Sequence, residues 1–401
     1  MRKALFAIIT AMALLLCACA RPAEQPAAEA SVTSSPTPEI ASGDGYTVKT
    51  RTLYYPEGAE ADTARFMLEL RLPVFQGAAD EAIAEYEEEL NTRITAELLP
   101  LAEREGGFIP NMRVEPSVFR AELPNGEYTN VMFSETVSFL EDGEPEHGRH
   151  LIVLDSDGSE QSLASVSGLY SPEDTVAQQI WNIIAGDGSY YSDLTQEDIA
   201  EHLDLYNGFS VGDEGYTVYL PAGTVADESM GEQEFSFGQA ALYPDFVGDV
   251  ITAEEYARIL PMLNAAAAAC GPDFASLLTP EGELGPAYCR EYLLRGRDSR
   301  TVTKNEFLSA YGFPFSHWMP PVENSPGVEF MGDGTVKLTR VTPLYGFQSE
   351  DATLTENGIL TVTGVLMSGA PGDPGAAAAA SASAMFTRLD GEYYLSSFDI
   401  M

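Results

Sequence analysis

The chain has 401 residues, 45% of them hydrophobic and 10% aromatic, which is enough apolar material for one or two hydrophobic cores. Its 62 acidic and 21 basic residues give a formal net charge of −41 at pH 7. That charge disfavours nucleic acids and anionic lipid surfaces as partners, and it favours basic ones. The alternative interpretation is a solubility adaptation spread over the whole surface.

The first residues have the features of an export signal. Arg2 and Lys3 precede an apolar run from Ala4 to Leu16, which is too short to span a membrane as a helix. The run ends in a lipobox-like sequence, so residues 1–18 are predicted to be a lipoprotein signal peptide and Cys19 the lipidated residue. The alternative is an ordinary signal peptide with an incidental cysteine. Lipidation would anchor the protein to the extracellular face of the cell membrane without a spanning helix.

Composition predicts how the rest of the chain is divided. Residues 19–45 are rich in Pro, Ala, Ser and Thr and cannot bury enough apolar surface to fold, so they are predicted to form a disordered tether. Residues 46–248 and 249–401 are predicted to be two α+β domains, each an antiparallel sheet with packed helices. The boundary is predicted within residues 244–249, where Pro, Gly and Asp interrupt the apolar pattern.

The N-terminal domain is predicted from its two hydrophobic periodicities. Alternating apolar residues indicate strands, and apolar spacings of three and four indicate helices. The predicted strands are 47–55, 66–72, 114–123, 128–139 and 150–155, and the predicted helices are 78–104, 172–185 and 195–204. The inward residues of the first two helices are predicted to be Ile83, Tyr86, Leu90, Ile94, Leu98 and Leu101, and then Val176, Ile180, Ile183 and Ile184. The exposed side of the first helix is acidic, with Glu81, Glu85, Glu88 and Glu89.

Residues 208–242 are predicted to close this domain as a hairpin, a loop and another strand. Apolar and polar residues alternate on both sides of a turn at Asp213 to Gly215. Phe235 and Phe237 then resume the two-residue period of a strand.

This order resembles the extracellular domain of RsiV-like lysozyme-sensing anti-sigma factors, which also accompanies PdaC-type peptidoglycan deacetylases. The matching residues are Gly215 to Pro221, Gly231 and Phe235 to Phe237. Upstream, the resemblance is carried by Asn91, His147, Gly148, Asp155, Gly158 and Leu163. Residues 144–146 depart from the family's Gly-Gly-Ala pattern, which puts any role of that loop in doubt. The metal-binding pattern of the deacetylases is absent from the sequence, so their activity does not transfer.

The C-terminal domain is predicted to begin with helices and to end with strands. Helices are predicted at 252–269, 273–278 and 286–294, and a capping box at Thr303 precedes another. Strands are predicted at 328–331, 335–342, 358–366, 382–388 and 393–400, with residues 371–380 as a mobile loop. The element order resembles an NTF2-like cone, which often encloses a pocket.

Cys270 and Cys289 are the only cysteines after the lipobox. An exported protein lies in an oxidising compartment, so a structural disulfide between them is predicted. Two separate buried thiols are the alternative.

Few residues suggest chemistry. Glu146, His147 and His150 could present zinc ligands from a loop, although residues three apart on a strand face opposite ways. A solvated loop is the simpler interpretation. The sequence has no phosphate-binding loop and no nucleophile elbow. We therefore expect no catalytic residue, no metal and no cofactor.

These observations favour a non-enzymatic, surface-exposed lipoprotein of a Gram-positive cell envelope. The resemblance implies a binding module for a basic wall-active protein such as lysozyme, or for peptidoglycan, without the spanning helix through which an anti-sigma factor signals. We expect Tyr216, Tyr219 and Trp318 to contribute to its ligand surface. The alternative is a hydrolase of wall polymers, with a pocket in the C-terminal domain that holds paired carboxylates and His317.

Overall fold

The computed structural model describes residues 46–401 except 76, 103–107, 124–125, 271–283, 295–298, 313–325 and 342–344. The predicted signal peptide, tether and lipidation site therefore lie outside the described residues. Within the described part of the chain, no helix is long and apolar enough to cross a bilayer. The fold is α+β, as predicted, and the described residues form three sheets that are entirely antiparallel and one that is mixed.

A five-stranded sheet forms the N-terminal part. Its strands, in spatial order, are β1 Thr47–Tyr55, β2 Phe66–Val74, β3 Asn111–Leu123, β4 Gly126–Ser138 and β5 Glu146–Leu154. The pairing of β2 with β3 is parallel, whereas the other three pairings are antiparallel. A parallel pair needs a long crossover, and the chain between β2 and β3 supplies it with a helix.

This crossover helix, α1, spans Ala78–Arg93 and continues through a π-helical turn at Ile94–Leu98 and a helical turn at Leu99–Leu101. Four of its predicted inward residues, Ile83, Tyr86, Leu90 and Ile94, are buried. The prediction is wrong at Leu101, which is 59% exposed. A π turn adds a residue to the helical repeat and so changes which residues face the sheet: Leu98 and Leu99 still pack against the apolar cluster, whereas Leu101 does not.

Helices and a small sheet complete the N-terminal part. They are α2 Leu163–Ser167, α3 Pro172–Ile184, α4 Gln196–Ala200, β6 Phe209–Gly212, β7 Gly215–Leu220 and β8 Gln233–Gly238, with 3-10 turns at Glu228–Met230 and Gln239–Leu242. The predicted hairpin is confirmed as β6 and β7, and Phe235 lies on β8 as expected. Ile183 was expected inside, but it is exposed because α3 packs through Val176, Ile180 and Ile184.

Buried Asn130 docks this small sheet onto the larger one. Its side-chain amide donates to the Val211 carbonyl at 2.9 Å and accepts from the Val211 amide at 2.7 Å. The Asn130 side chain thus makes the two hydrogen bonds that a neighbouring strand would otherwise make to Val211 of β6. Both backbone groups of Val211 are satisfied without water.

The described residues of the C-terminal part form three helices and two sheets. They are α5 Ala253–Ala269, α6 Leu284–Leu294, β9 Ser299–Thr303, α7 Lys304–Gly312, β10 Val328–Phe330, β11 Thr335–Thr339, β12 Tyr345–Leu354, β13 Ile359–Ser368, β14 Ala377–Leu389 and β15 Glu392–Ile400. The sheets have the orders β10-β11-β9 and β12-β13-β14-β15. Thr252 and Glu255 form a capping box that starts α5.

Two features of this part differ from the prediction. Strands β9 and β12 were not predicted, and Ala377 to Ala380, expected in a loop, begin β14. Alanine is intrinsically disfavoured in strands, but here the backbone of these residues pairs with β13. Pairing with a neighbouring strand therefore overrides the local composition.

Three apolar clusters form the interior. Two of them use residues before Tyr243, and the third uses buried residues from Phe246 onward. This separation lies close to the predicted domain boundary at residues 248 and 249, which stays a prediction.

Replacing Asn130 by Ala should destabilise the fold by about 2–4 kcal/mol, because an amide and a carbonyl of Val211 would be left buried without partners. Denaturant unfolding measures this change. Asn182→Ala, on the exposed side of α3, is the matched control and should have little effect. A loss below 1 kcal/mol for Asn130→Ala would contradict the docking role.

Candidate functional site: an acidic groove

A groove runs between α1, strand β5 and the segment 204–207. It consists of two adjoining recesses of about 630 and 390 Å³, which share Glu85, Tyr86, Glu89 and His150. Glu160 and Asp204 line the smaller recess. We define the acidic groove by the residues Glu85, Glu89, Glu160, Asp204 and His150.

Helical periodicity sets one wall of the acidic groove. Glu85 and Glu89 are four residues apart, so they lie on the same face of α1, and both are exposed. Tyr86 and Leu90, one residue further along in each case, face the sheet and are buried. The pattern that buries one side of α1 therefore directs two carboxylates to the groove.

A buried carboxylate supports this wall from below. Glu135 on β4 is 5% exposed and accepts a hydrogen bond from the Tyr86 hydroxyl at 2.9 Å. Its other oxygen pairs with the Arg93 guanidinium. The Tyr86 ring stacks on Phe133, with 4.1 Å between the ring centroids. These contacts fix the position of α1 on the sheet.

His150 also contacts the Tyr86 ring, with the ring centroids 4.5 Å apart and the two planes tilted by 39°. Burial lowers the pKa of its imidazole, and this effect outweighs the opposite influence of Glu135 and Asp204. The pKa of Glu160 is raised, first by burial and then by the negative charges of Glu85, Glu89 and Asp204.

In addition to burial, the negative charges of Glu85, Glu89 and Asp204 disfavour ionisation of Glu160, because like charges repel one another. A cation placed among them relieves that repulsion, so the groove is chemically suited to the ammonium or guanidinium group of a basic protein. Among the described residues, no cluster of three His, Cys, Asp or Glu side chains is arranged to hold a metal ion.

The predicted ligand surface needs correction. Tyr216 is 2% exposed and belongs to an apolar cluster, because it shares the inward face of β7 with Val218 and Leu220. Tyr219 faces outward, but the Arg149 guanidinium covers its ring at 4.1 Å from the centroid. Trp318 and His317 lie outside the described residues.

The predicted disulfide is not formed. Cys270 and Cys289 are both present as thiols, buried in the C-terminal apolar cluster. Burial raises the pKa of the Cys289 thiol, which disfavours the thiolate needed for disulfide exchange. The structure therefore corresponds to the alternative of two buried thiols.

The loop interpretation of residues 146–150 is also wrong. This segment is strand β5, in which His147 lies opposite Thr136 and His150 lies opposite Phe133. His147 is exposed, whereas His150 is partly buried in the acidic groove, so the two do not converge on a metal.

Several residues that carry the resemblance have structural roles. Asn91 accepts a hydrogen bond from Tyr55 and so ties α1 to β1. Asp155 closes a turn by accepting from the amides of Asp157 and Ser159 at 2.9 and 3.0 Å. Gly158 has a φ of +83°, and a Cβ there would lie 2.8 Å from the backbone nitrogen of Ala79. Only glycine is compatible with that approach.

The site residues that sequence reasoning missed are Glu160, Asp204 and His150 as part of a groove. The acidic face of α1 was visible from the spacing of its glutamates. Nothing in the local sequence indicates that the segment 204–207 passes beside that face, because this proximity arises from tertiary packing.

No known family profile and no curated protein matches the chain. Among solved structures, a DUF3298 family protein from Pseudomonas aeruginosa PAO1 aligns with 49% of this chain and 91% of its own, with 14% identity and a TM-score of 0.30. A member of the DUF3298 family from Bacteroides fragilis aligns with 52% of this chain and 92% of its own, with 11% identity and a TM-score of 0.29. At these values the similarity says nothing about a ligand.

Tyr86→Phe should destabilise the protein by about 1.5–3 kcal/mol, since it removes a hydrogen bond to a buried carboxylate and keeps the stacked ring. Denaturant unfolding provides the measurement, with Tyr54→Phe on partly exposed β1 as the matched control. Equal stability of the two variants would show that the hydrogen bond from Tyr86 to Glu135 does not stabilise the fold.

The His150 imidazole should titrate below its ordinary value of 6.5 in the folded protein. The unfolded chain then binds more protons between the two pKa values, so the contribution of His150 to stability is complete above 6.5 and is lost as the pH falls toward the lowered value. An NMR titration of the ring, with exposed His202 as the internal reference, measures the midpoint. A midpoint at or above 6.5 would be inconsistent with a desolvated imidazole.

Proposed function

We propose that the protein is a non-catalytic, lipid-anchored binding protein of the bacterial cell surface, and that it takes a basic wall-active protein such as a lysozyme in the acidic groove. The observation that carries this proposal is the convergence of four carboxylates, Glu85, Glu89, Glu160 and Asp204, in a groove with a partly buried imidazole.

Electrostatics supports the proposal both at long range, before contact, and at short range, within the groove. The net charge of −41 attracts a basic protein over a distance of about a Debye length, roughly 8–10 Å at physiological salt. At contact, each pair between a groove carboxylate and a ligand cation contributes about 0.2–1 kcal/mol. Several such pairs, together with relief of the repulsion around Glu160, favour a basic ligand over a neutral one.

The resemblance to the RsiV-like extracellular domain supports the same ligand class. That family senses lysozyme, and the residues that carry the resemblance here, such as Asn91 and Gly158, hold α1 in place. The lipobox-like sequence before Cys19 supports a location at the extracellular face of the membrane.

A hydrolase of wall polymers is the second candidate, because a cavity beside α5 and α6 contains the buried carboxylate of Glu291. Burial raises the pKa of that carboxyl, as a general acid requires. However, Glu291 accepts a hydrogen bond from Arg290 at 2.6 Å, which favours its charged form. Binding is therefore the better supported function.

The double variant Glu85→Gln/Glu89→Gln should bind lysozyme roughly three- to thirtyfold more weakly than the unchanged full chain, because two carboxylates leave the groove wall. Titration calorimetry at two salt concentrations measures the dissociation constant. The double variant Glu57→Gln/Glu356→Gln makes the same chemical change at exposed positions outside the groove and is the control.

Three results are informative. Weaker binding in the groove variant alone supports the site. Equal weakening in both variants would show that net charge, rather than the groove, attracts lysozyme. Undetectable binding of the unchanged protein at both salt concentrations would refute lysozyme as the ligand.

A further inference from the structure

The N- and C-terminal parts of the chain meet at specific contacts. The Tyr170 hydroxyl donates to the Gly369 carbonyl at 3.1 Å, and the Ser165 hydroxyl donates to the Pro371 carbonyl at the same distance. Both acceptors lie in the loop between β13 and β14. Residues just after β5 therefore hold a loop that belongs to the C-terminal sheet.

Two glycines make this approach possible. A Cβ at Gly346 would lie 1.7 Å from the Tyr170 hydroxyl oxygen, and a Cβ at Gly372 would lie 2.5 Å from the Ser162 hydroxyl oxygen. A side chain at either position would displace the hydroxyl group that it meets, and at Gly346 that hydroxyl makes the Tyr170 contact across the junction. The absence of side chains at these two positions is therefore compatible with the close junction.

A cavity of about 420 Å³ lies beside the junction. Its size falls within the range of about 300–1,000 Å³ that is usual for small-molecule sites, which occur preferentially between domains. Helix α5 contributes Leu260 and Asn264, helix α6 contributes Tyr292, and the N-terminal part contributes Tyr128 and Gln239. The cavity is therefore complete only when both parts of the chain are in place.

The lining combines aromatic rings with amide groups. Tyr128 is buried, and Tyr292 is stacked on buried Tyr288 with 6.1 Å between the ring centroids, so both rings are held in fixed positions. The amides of Asn264 and Gln239 can each donate and accept hydrogen bonds. Rings can cover the C–H faces of a ligand while the amides bind its hydroxyl groups.

The charges around the cavity narrow the choice of ligand. Glu127, Asp155, Asp157 and the buried Glu291 also line it and oppose an anionic ligand, whereas Arg340, which lies near Glu291, offsets part of this charge and opposes a cationic ligand there. A purely apolar ligand would remove these polar groups from water without replacing their hydrogen bonds. A neutral molecule with many hydroxyl groups and apolar ring faces fits all three constraints.

We propose that the junction cavity binds a neutral saccharide, with its sugar rings against Tyr128 and Tyr292 and its hydroxyl groups bound by Asn264 and Gln239. This site is separate from the acidic groove, and its occupancy does not depend on the binding of a basic protein there.

Titration calorimetry of the full chain tests this site with two probes, a β-1,4-linked tetramer of N-acetylglucosamine and a β-1,4-linked tetramer of glucose. Saturable binding of at least one tetramer is expected. Asn264→Ala and Tyr292→Ala should each weaken it by about tenfold. Asn264 is exposed on α5, so its replacement leaves the hydrophobic core intact. Asn264→Ala therefore tests the site even if Tyr292→Ala destabilises the fold. Tyr191→Ala, at an exposed tyrosine outside the cavity, is the matched control.

The two probes distinguish the sources of a neutral saccharide. If only the N-acetylglucosamine tetramer binds, the amide side chains recognise its acetamide groups. If both tetramers bind, the cavity recognises the sugar ring that they share. Failure of both tetramers to bind, or binding that neither cavity variant weakens, would overturn the proposal. The Glu85→Gln/Glu89→Gln variant should bind the tetramer normally, so loss of the groove and loss of the cavity give different results.

Discussion

The hydrogen-bonded carboxylate of Glu135 is the constraint on which the groove depends. A charged group 5% exposed inside a sheet is costly unless it has partners, and here both partners come from α1. Tyr86 and Arg93 therefore determine how the helix is rotated on the sheet. That rotation places Glu85 and Glu89 at the rim of the groove and brings His150 against the Tyr86 ring.

The two proposed sites use different physical means. The acidic groove would attract a basic ligand by charge, and burial together with the neighbouring carboxylates raises the pKa of Glu160 there. The junction cavity instead offers fixed tyrosine rings and amides between the two parts of the chain. Together they would allow one protein to contact both a basic protein and a saccharide.

Much of the fold could be predicted because its signals are local. The capping box that Thr195 and Asp198 form at the start of α4, and the alternation in β6 and β7, are properties of a few adjacent residues. That same alternation placed Tyr216 on the inward face, so its assignment to a ligand surface was wrong for a reason visible in the sequence. By contrast, the π turn before Leu101 and the pairing of Ala377 with β13 depend on tertiary contacts, as does the groove itself. Residues that meet only in the folded chain left no local pattern to detect.

Hydrogen–deuterium exchange of the full chain, with and without a saturating basic ligand such as lysozyme, tests the central claim most directly. The proposed site predicts slower exchange in α1 and in residues 204–207, two of the segments that line the acidic groove. Protection confined to the sheet of residues 209–238, with no change in α1, would contradict it and would place the ligand on that sheet instead.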